Sequence, residues 1–321
     1  MGAYLVRRVP SALVVLVIAS FAIFAMVRLV PGDPVATLAG PDATPEARAA
    51  IEADLGLDQP LVSQYVTWLG QLAHLDLGTS YRIGGQVSDL VADGAVNTIV
   101  LTVAALVLAV AVALVSSVLA VVLDKSWVNA ALSFGNTLAI ALPTFVTGLV
   151  LILLFAVVFP VLPAGGTPPD GFIARPDIAV QYLLLPAVCL ALGAGAALTR
   201  FLTEALRTEM RQPYVTTARA LGISRRRIVL TQALRNALPS TVTVLGIQFG
   251  TLLGGAVLVE AIFTWPGLGG LIEDAISGRD YPLVQVLLLL SVAVFVVVQL
   301  LTDIVHAWLD PRVRIAGGGT A

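Results

Sequence analysis

The sequence predicts an all-α, polytopic membrane protein with six transmembrane helices and an external helical segment after the first. Three observations lead there. Of 321 residues, 58% are hydrophobic and only 12% are charged, with a mean hydropathy of +0.95. That composition excludes an ordinary soluble domain and a disordered chain. Several apolar runs exceed the ~18 residues needed to cross about 30 Å of hydrocarbon. The cations are also segregated: Arg200, Arg207, Arg211, Arg219, Arg225, Arg226, Arg227 and Arg235 crowd one stretch between two apolar runs. The net charge of −2 therefore carries little information.

The spans are read at 9–30, 97–123, 131–159, 180–203, 237–261 and 283–309. Arg7 and Arg8 precede the first apolar run, Val9 to Val30, which is longer than the ~7–15 residues of a signal-peptide core and lacks a clear small-x-small cleavage site before Pro31. It is expected to be a retained span. With the N-terminus inside, thirteen of the eighteen Lys and Arg fall on the inner side, Lys125, Arg312 and Arg314 among them. Only Arg28, Arg48, Arg82, Arg175 and Arg279 fall outside. The reverse topology would expose the cationic loop outside, so the positive-inside rule decides the orientation.

Residues 31–96 then form an extracytoplasmic segment rich in acids, from Asp33 to Asp93. Thr44-Pro45-Glu46 supplies a cap, a Pro at the first helical position and an acid in the first turn, and Gly56 supplies a stop. Leu61, Tyr65, Trp68, Leu69 and Leu72 recur at helical spacing, so a second, amphipathic helix follows. Its Tyr/Trp stripe either rests on the bilayer surface or packs on the spans.

In the fifth span Gly246, Gly250 and Gly254 fall at i, i+4 and i+8, with Gln248 and Thr251 beside them. Such a stripe permits close helix approach. It can serve packing within the chain, a subunit interface or a translocation pathway. Glu204, Glu260, Asp303 and His306 lie near span ends and are expected as interfacial anchors. A proton-coupled peptide carrier, the main rival reading, needs carboxylates near the midplane, and none is found there. Cys189 stands alone in an apolar span and reads as a small core residue. His74 and His306 are far apart, so no metal site is expected. No G-x-x-x-x-G-K-[ST] occurs, so no ATP is expected on this chain. No nucleophile–base pair supports a membrane enzyme.

The loop 204–236 has internal order. Pro213 near the start and Gly222 past the end bracket a short helix, Tyr214 to Leu221, and Ser224 opens a second basic stretch. Tyr214, Ala218 and Leu221 share one face at i, i+4 and i+7, suited to lying in a partner's groove. Gly222 can take a left-handed conformation and stop the helix sharply.

Thr216-Thr217-Ala218-Arg219-Ala220-Leu221-Gly222, with Ala233-Leu234-Arg235-Asn236-Ala237-Leu238-Pro239 downstream, resembles the cytoplasmic EAA loop of ABC-importer permeases. Thr216 replaces the usual Glu, and Leu-Pro comes four residues late, as in the peptide/nickel subgroup. Pro31-Gly32-Asp33-Pro34, Asp76-Leu77-Gly78, Trp265-Pro266-Gly267-Leu268-Gly269, Arg279-Asp280-Tyr281-Pro282 and Asp310-Pro311-Arg312 extend the likeness along the whole chain. Together these resemble the B-type permease of dipeptide/oligopeptide ABC importers.

The resemblance implies the type I ABC-importer fold and ATP-driven import of di- or oligopeptides, or related solutes, by alternating access. It implies a coupling segment of Tyr214, Thr217, Ala218, Arg219, Leu221, Gly222 and Ser224, and a face for the binding protein that includes Asp33, Asp76, Trp265 and Asp280. The implied partners are a second homologous permease, two ATPase subunits holding ATP and Mg, an extracytoplasmic substrate-binding protein and the lipid bilayer, with no nucleic acid. The implied location is the bacterial cytoplasmic membrane, with both termini cytoplasmic.

Overall fold

The computed structural model describes residues 2–29, 35, 39, 43–54, 56–169 and 171–309; for 2–9, 51, 54, 173, 302, 303 and 305–309 it describes the backbone alone. Asp33 and the stretch Asp310 to Arg314 lie outside the described residues, as do the side chains of Arg7, Arg8, Asp303 and His306. Apart from an isolated bridge between Thr79 and Gln86, every regular element among the described residues is helical.

In chain order these are α1 (Gly2–Leu29), α2 (Pro45–Asp54), α3 (Leu61–Ala73), α4 (Val87–Leu123), α5 (Ser126–Ala141), α6 (Thr144–Ile152), α7 (Gly171–Ala174), α8 (Pro176–Glu209), α9 (Pro213–Ala220), α10 (Arg225–Ile228), α11 (Leu234–Ile262), α12 (Leu268–Ser277) and α13 (Tyr281–Leu309). Wider π-turns extend α6 over Leu153–Val158 and join α10 to α11 over Val229–Ala233. Five helices are long and apolar enough to cross a bilayer: Pro10–Leu29, Val87–Leu123, Pro176–Glu209, Arg225–Ile262 and Tyr281–Leu301.

The stretch 131–159 is not the single helix the sequence predicts. It is two helices, bent by 105° between α5 and α6. Pro143 causes the break: its ring bars the preceding residue from the α region, and Leu142 is extended at φ −75°, ψ 126°. The helix holding 97–123 starts ten residues earlier than expected, at Val87, and the one holding 180–203 runs on to Glu209. Apolar run length marks the hydrocarbon, not the ends of a helix that continues into water.

The chain divides into two compact units. One comprises Asn97–Pro266 with the chain from Val297. Its core sets Leu101, Ala105, Ala109 and Ala113 of α4 and Leu252, Ala256 and Val259 of α11 with the buried face of α8, Leu185 to Leu198. The alanines let backbones meet: a Cβ on Gly195 would stand 3.4 Å from the Cα of Ala109. Ser117 Oγ donates to the Thr199 carbonyl at 3.1 Å, a polar link between α4 and α8. Glu260, placed by sequence among the interfacial anchors, is instead 1% exposed, and Thr98 Oγ1 donates to it at 2.6 Å. A carboxylate in that position needs donors around it.

The other unit comprises Gly2–Val96 and Gly267–Val296. Thr44 Oγ1 caps α2 by accepting from Ala47 N at 3.2 Å, and Gly56 at φ +64° terminates it. The aromatic stripe of α3 packs on α1. The Tyr65 ring lies 5.6 Å from Phe21 and 5.4 Å from Phe24, the Tyr65 hydroxyl is 2.8 Å from Ser20 Oγ, and Trp68 lies 6.0 Å from Phe24. Below it, Val87, Val91, Ala275, Leu283, Val286 and Leu287 form a local core.

Asp280 is the polar anchor of this second unit. It is fully buried, and its Oδ2 accepts from Ser80 Oγ at 2.5 Å and Arg82 N at 3.0 Å. Ser80 Oγ in turn accepts from Ile83 N at 3.0 Å. One carboxylate thereby ties the 79–86 turn to the α12–α13 junction. Burial pushes the nearby Tyr81 hydroxyl up, Arg28 pulls it back and Asp280 adds to the rise. Asp280→Ala should leave Ser80 and the Arg82 amide without their acceptor, at about 1–3 kcal/mol. Limited proteolysis within 79–86 should accelerate in Asp280→Ala and stay at the parental rate in a control at the exposed Asp76.

Candidate functional site

The first candidate site is the loop from Met210 to Ala237. Helix α9 begins with Pro213, whose missing N–H costs nothing at that position. It ends in a Schellman turn: Ile223 N donates to Ala218 O at 3.1 Å and Gly222 N to Arg219 O at 2.9 Å, with Gly222 at φ +77°. Val215 and Ala218 point inward into a cluster with Leu202 and Leu206 of α8, Met210 just beyond it, Ile228 of α10, Val229 and Ala233, with Val121 of α4 in the same cluster. Each large aliphatic side chain buried here contributes about 1.5–3 kcal/mol. The loop is therefore packed as one body with the ends of α4 and α8.

This corrects the expected docking face. Ala218 is 5% exposed and packs against its own loop rather than presenting a surface to a partner. Val215, which sequence reasoning did not single out, shares that inward face. The outward surface is carried by Thr217, Arg219, Gly222 and Ser224 and by Leu221, an apolar side chain left 75% exposed at the tip. Tyr214 is half-buried; its hydroxyl donates to Glu209 Oε2 at 2.7 Å, and Asn236 Nδ2 reaches the same oxygen at 3.5 Å. Burial raises the Tyr214 hydroxyl, the Glu209 bond adds to the rise, and Asn236 opposes it.

Two residues order this loop through partners that the sequence does not reveal. Glu209 bridges Tyr214 and Asn236. Arg225 donates from Nε to the Val121 carbonyl at 2.8 Å and pairs with Asp124 at 2.8 Å. It thus caps the C-terminal end of α4, where cations are favoured, and ties that end to α10. No sequence pattern connects positions 104 residues apart.

The second candidate is a cavity of about 310 Å³ beside the α5–α6 break, lined by Thr144, Thr147, Gln248, Thr251 and Gly255 among others. Of the glycine stripe, Gly246 is buried, Gly250 is half-buried and Gly254 is exposed with open space around it. The close contact of α11 with α8 runs instead through Gly255, where a Cβ would stand 3.1 Å from Leu190 Cδ1.

Of the four residues expected to face a binding protein, two are sealed within their own units. Trp265 is 1% exposed: Nε1 donates to Asn97 O at 3.0 Å and the ring lies 5.6 Å from Phe172. Asp280 is the buried anchor described above. Both are structural, because a sealed side chain cannot meet a partner. Asp76 is exposed, its Oδ1 accepting only a local bond from Gly78 N at 3.0 Å. Asp33 lies outside the described residues.

Residues 105–315 match the family described as the binding-protein-dependent transport system inner membrane component, and residues 1–102 match the N-terminal domain of that family. The chain belongs to this family. It is a multi-pass inner-membrane permease subunit of an ABC transporter, and a transport component rather than an enzyme. Membership implies ATPase and substrate-binding-protein partners in general.

A peptide transport system permease protein of Brucella abortus (strain 2308) is 37% identical over 314 residues, 98% of this chain and 99% of the relative. A peptide ABC transporter permease protein of Sinorhizobium fredii is 35% identical over 314 residues, 98% of this chain and 100% of the relative. The glutathione transport system permease protein GsiC of Escherichia coli O6:H1 is 33% identical over 311 residues, 97% and 98% of the two chains. Among solved structures, an inward-facing MetNI methionine ABC transporter matches with a TM-score of 0.54 at 20% identity, covering 69% of this chain and 96% of that one. The fold is that of a type I ABC-importer permease.

Gly222→Val should distort the Schellman turn, since a β-branched residue at positive φ costs roughly 1–2 kcal/mol. Trypsin cleavage at the exposed Arg219, Arg226 and Arg227 should quicken in that variant, with the rest of the chain unaffected.

Proposed function

We propose that the chain is the permease of an ATP-driven importer of di- or oligopeptides or related small solutes, with the loop around α9 as its coupling element. The observation that carries this is the loop's form: a packed, cationic body that leaves Leu221 exposed at its tip. In this reading the exposed Leu221 enters a hydrophobic groove of the ATPase, and the exposed Arg219, Arg226 and Arg227 of the same loop meet acids there. The relatives supply the cargo class: two are peptide permeases and one is a glutathione permease, glutathione being a tripeptide.

In this reading ATP and Mg sit on two ATPase subunits, which seat Thr217, Arg219, Leu221, Gly222 and Ser224. Tyr214 and Ala218 act from inside the loop by keeping it rigid. A second, related permease covers the exposed side of α11, where Gly254 leaves room for close approach. A substrate-binding protein docks on the extracytoplasmic side, with Asp76 among the groups exposed to it. The segment 31–96 lies outside, the loop 204–236 lies inside, and both termini are cytoplasmic.

Proteoliposomes holding the full importer should take up peptide with ATP and binding protein, and vanadate should stop it. Uptake driven by a proton gradient alone would favour the carrier reading. Leu221→Asp should cut binding-protein-stimulated hydrolysis and uptake about tenfold or more, as loss of a buried interface anchor does, while the subunit's thermal midpoint stays put.

Orientation is tested separately. In a Cys189→Ser background, Ala43→Cys should react with an impermeant thiol reagent in intact cells, and Ser224→Cys should react only after lysis. Labelling of the Ser224 position in intact cells would invert the topology.

A further inference from the structure

A second cavity, of about 790 Å³, opens between α5 and α8, and it shares Ile140 and Ala197 with the 310 Å³ cavity beside the helix break. The two adjoin there. The larger, a groove between the helices, is polar in an ordered way. Asn129, Ser133 and Asn136 line it from α5, and Arg200, Glu204 and Arg207 line it from α8. Each trio falls at i, i+4 and i+7, so each forms a single stripe on its helix.

The three charges have the spacing of intrahelical ion pairs. Even so, among the described residues none of them makes a side-chain hydrogen bond or ion pair. Across the groove, Asn129 Oδ1 is buried without a hydrogen-bond partner. Helix α8 is 34 residues long, about 51 Å at about 1.5 Å per residue. That exceeds the ~30 Å of hydrocarbon, so its last turns, which hold these charges, can stand in water.

We propose that this groove is a binding site in the translocation pathway for a short peptide with both termini free. Arg207 holds the C-terminal carboxylate, Glu204 takes the N-terminal ammonium, and the amides and hydroxyl of α5 meet the peptide backbone. This deepens the importer reading and rests on it. Arg favours a carboxylate because its planar fork matches both oxygens. Glu204 sets the polarity: an anionic lipid headgroup would be served by the arginines and repelled by the glutamate. The volume lies within the ~300–1,000 Å³ typical of small-ligand sites.

The test uses the complete nucleotide-free importer in nanodiscs without binding protein, so that the binding protein's own selectivity does not enter. In a Cys189→Ser background, Ser133→Cys reports, and Asn136→Cys serves as a second reporter. Modification by a thiol reagent is followed on this chain by mass spectrometry. A tripeptide with free termini should slow modification, and its C-amidated and N-acetylated forms should each require about tenfold more peptide, the worth of a charged hydrogen bond. Arg207→Gln should erase the penalty for amidation, and Glu204→Gln the penalty for acetylation.

Equal protection by all three peptides, or protection by none at either reporter, overturns the site. So does protection that follows the anionic lipid content and ignores peptide. Wild-type uptake of the same tripeptide separates the two levels: import without terminus-dependent protection removes this site alone, whereas absence of any peptide import removes the importer reading beneath it.

Discussion

The constraint on which the rest of the structure depends is that backbone polar groups inside hydrocarbon have no water to bond. Only a helix satisfies them within a single segment, which is why every long apolar run here is helical. A helix may break at that depth only where protein or a wet cavity receives the freed groups. The break between α5 and α6 obeys this. Leu142 and Thr144 line the smaller cavity, and the Thr144 carbonyl accepts from Cys189 Sγ at 3.5 Å. Pro143, the smaller cavity and the bend are thus three aspects of one feature. Pro186 and Pro239 lie inside helices that continue through them, so a proline alone does not dictate a break.

Polar side chains inside the helical unit follow a related economy. Ser117 and Thr199 bond across the α4–α8 contact, and Thr199 Oγ1 returns a bond to the Gly195 carbonyl at 2.7 Å, so that hydroxyl is satisfied within its own helix. The Asp280 carboxylate, in the other unit, gathers a hydroxyl and a backbone amide. Buried polar groups are kept where they hold elements in register.

Much of this was legible in the sequence because periodicity and punctuation are local. The start of α2 at Thr44-Pro45, its stop at Gly56, and the Pro213–Gly222 brackets of α9 all follow from caps and allowed φ. The Tyr65/Trp68 stripe was visible as a face, but its partner on α1 was not. What failed was the inference from a motif residue to its exposure. Trp265 and Asp280 lie in segments that resemble a family pattern, and a pattern marks a position without saying whether packing or a partner requires it. Ala218 failed for the same reason, since a small residue on a helix face permits close approach from either side. Arg225 and Glu209 were lost among other charges because their partners are distant in sequence.

The packing of the loop decides how it can act. Val215 and Ala218 share one cluster with Leu202 and Leu206 of α8, Val121 of α4 and Ala233 and Ala237 leading into α11, and Arg225 ties the end of α4 to the same body. A displacement at Leu221 therefore cannot be absorbed by α9 alone; close-packed interiors transmit strain. The point of least regular helix is the π-turn Val229–Ala233, where the hydrogen-bond ladder is widened. A push at the tip would move the loop and the end of α8 together and would be taken up at that turn, at the foot of α11. The same end of α8 carries Arg200, Glu204 and Arg207 against α5, so a movement delivered by the loop is delivered first to the wall of the groove.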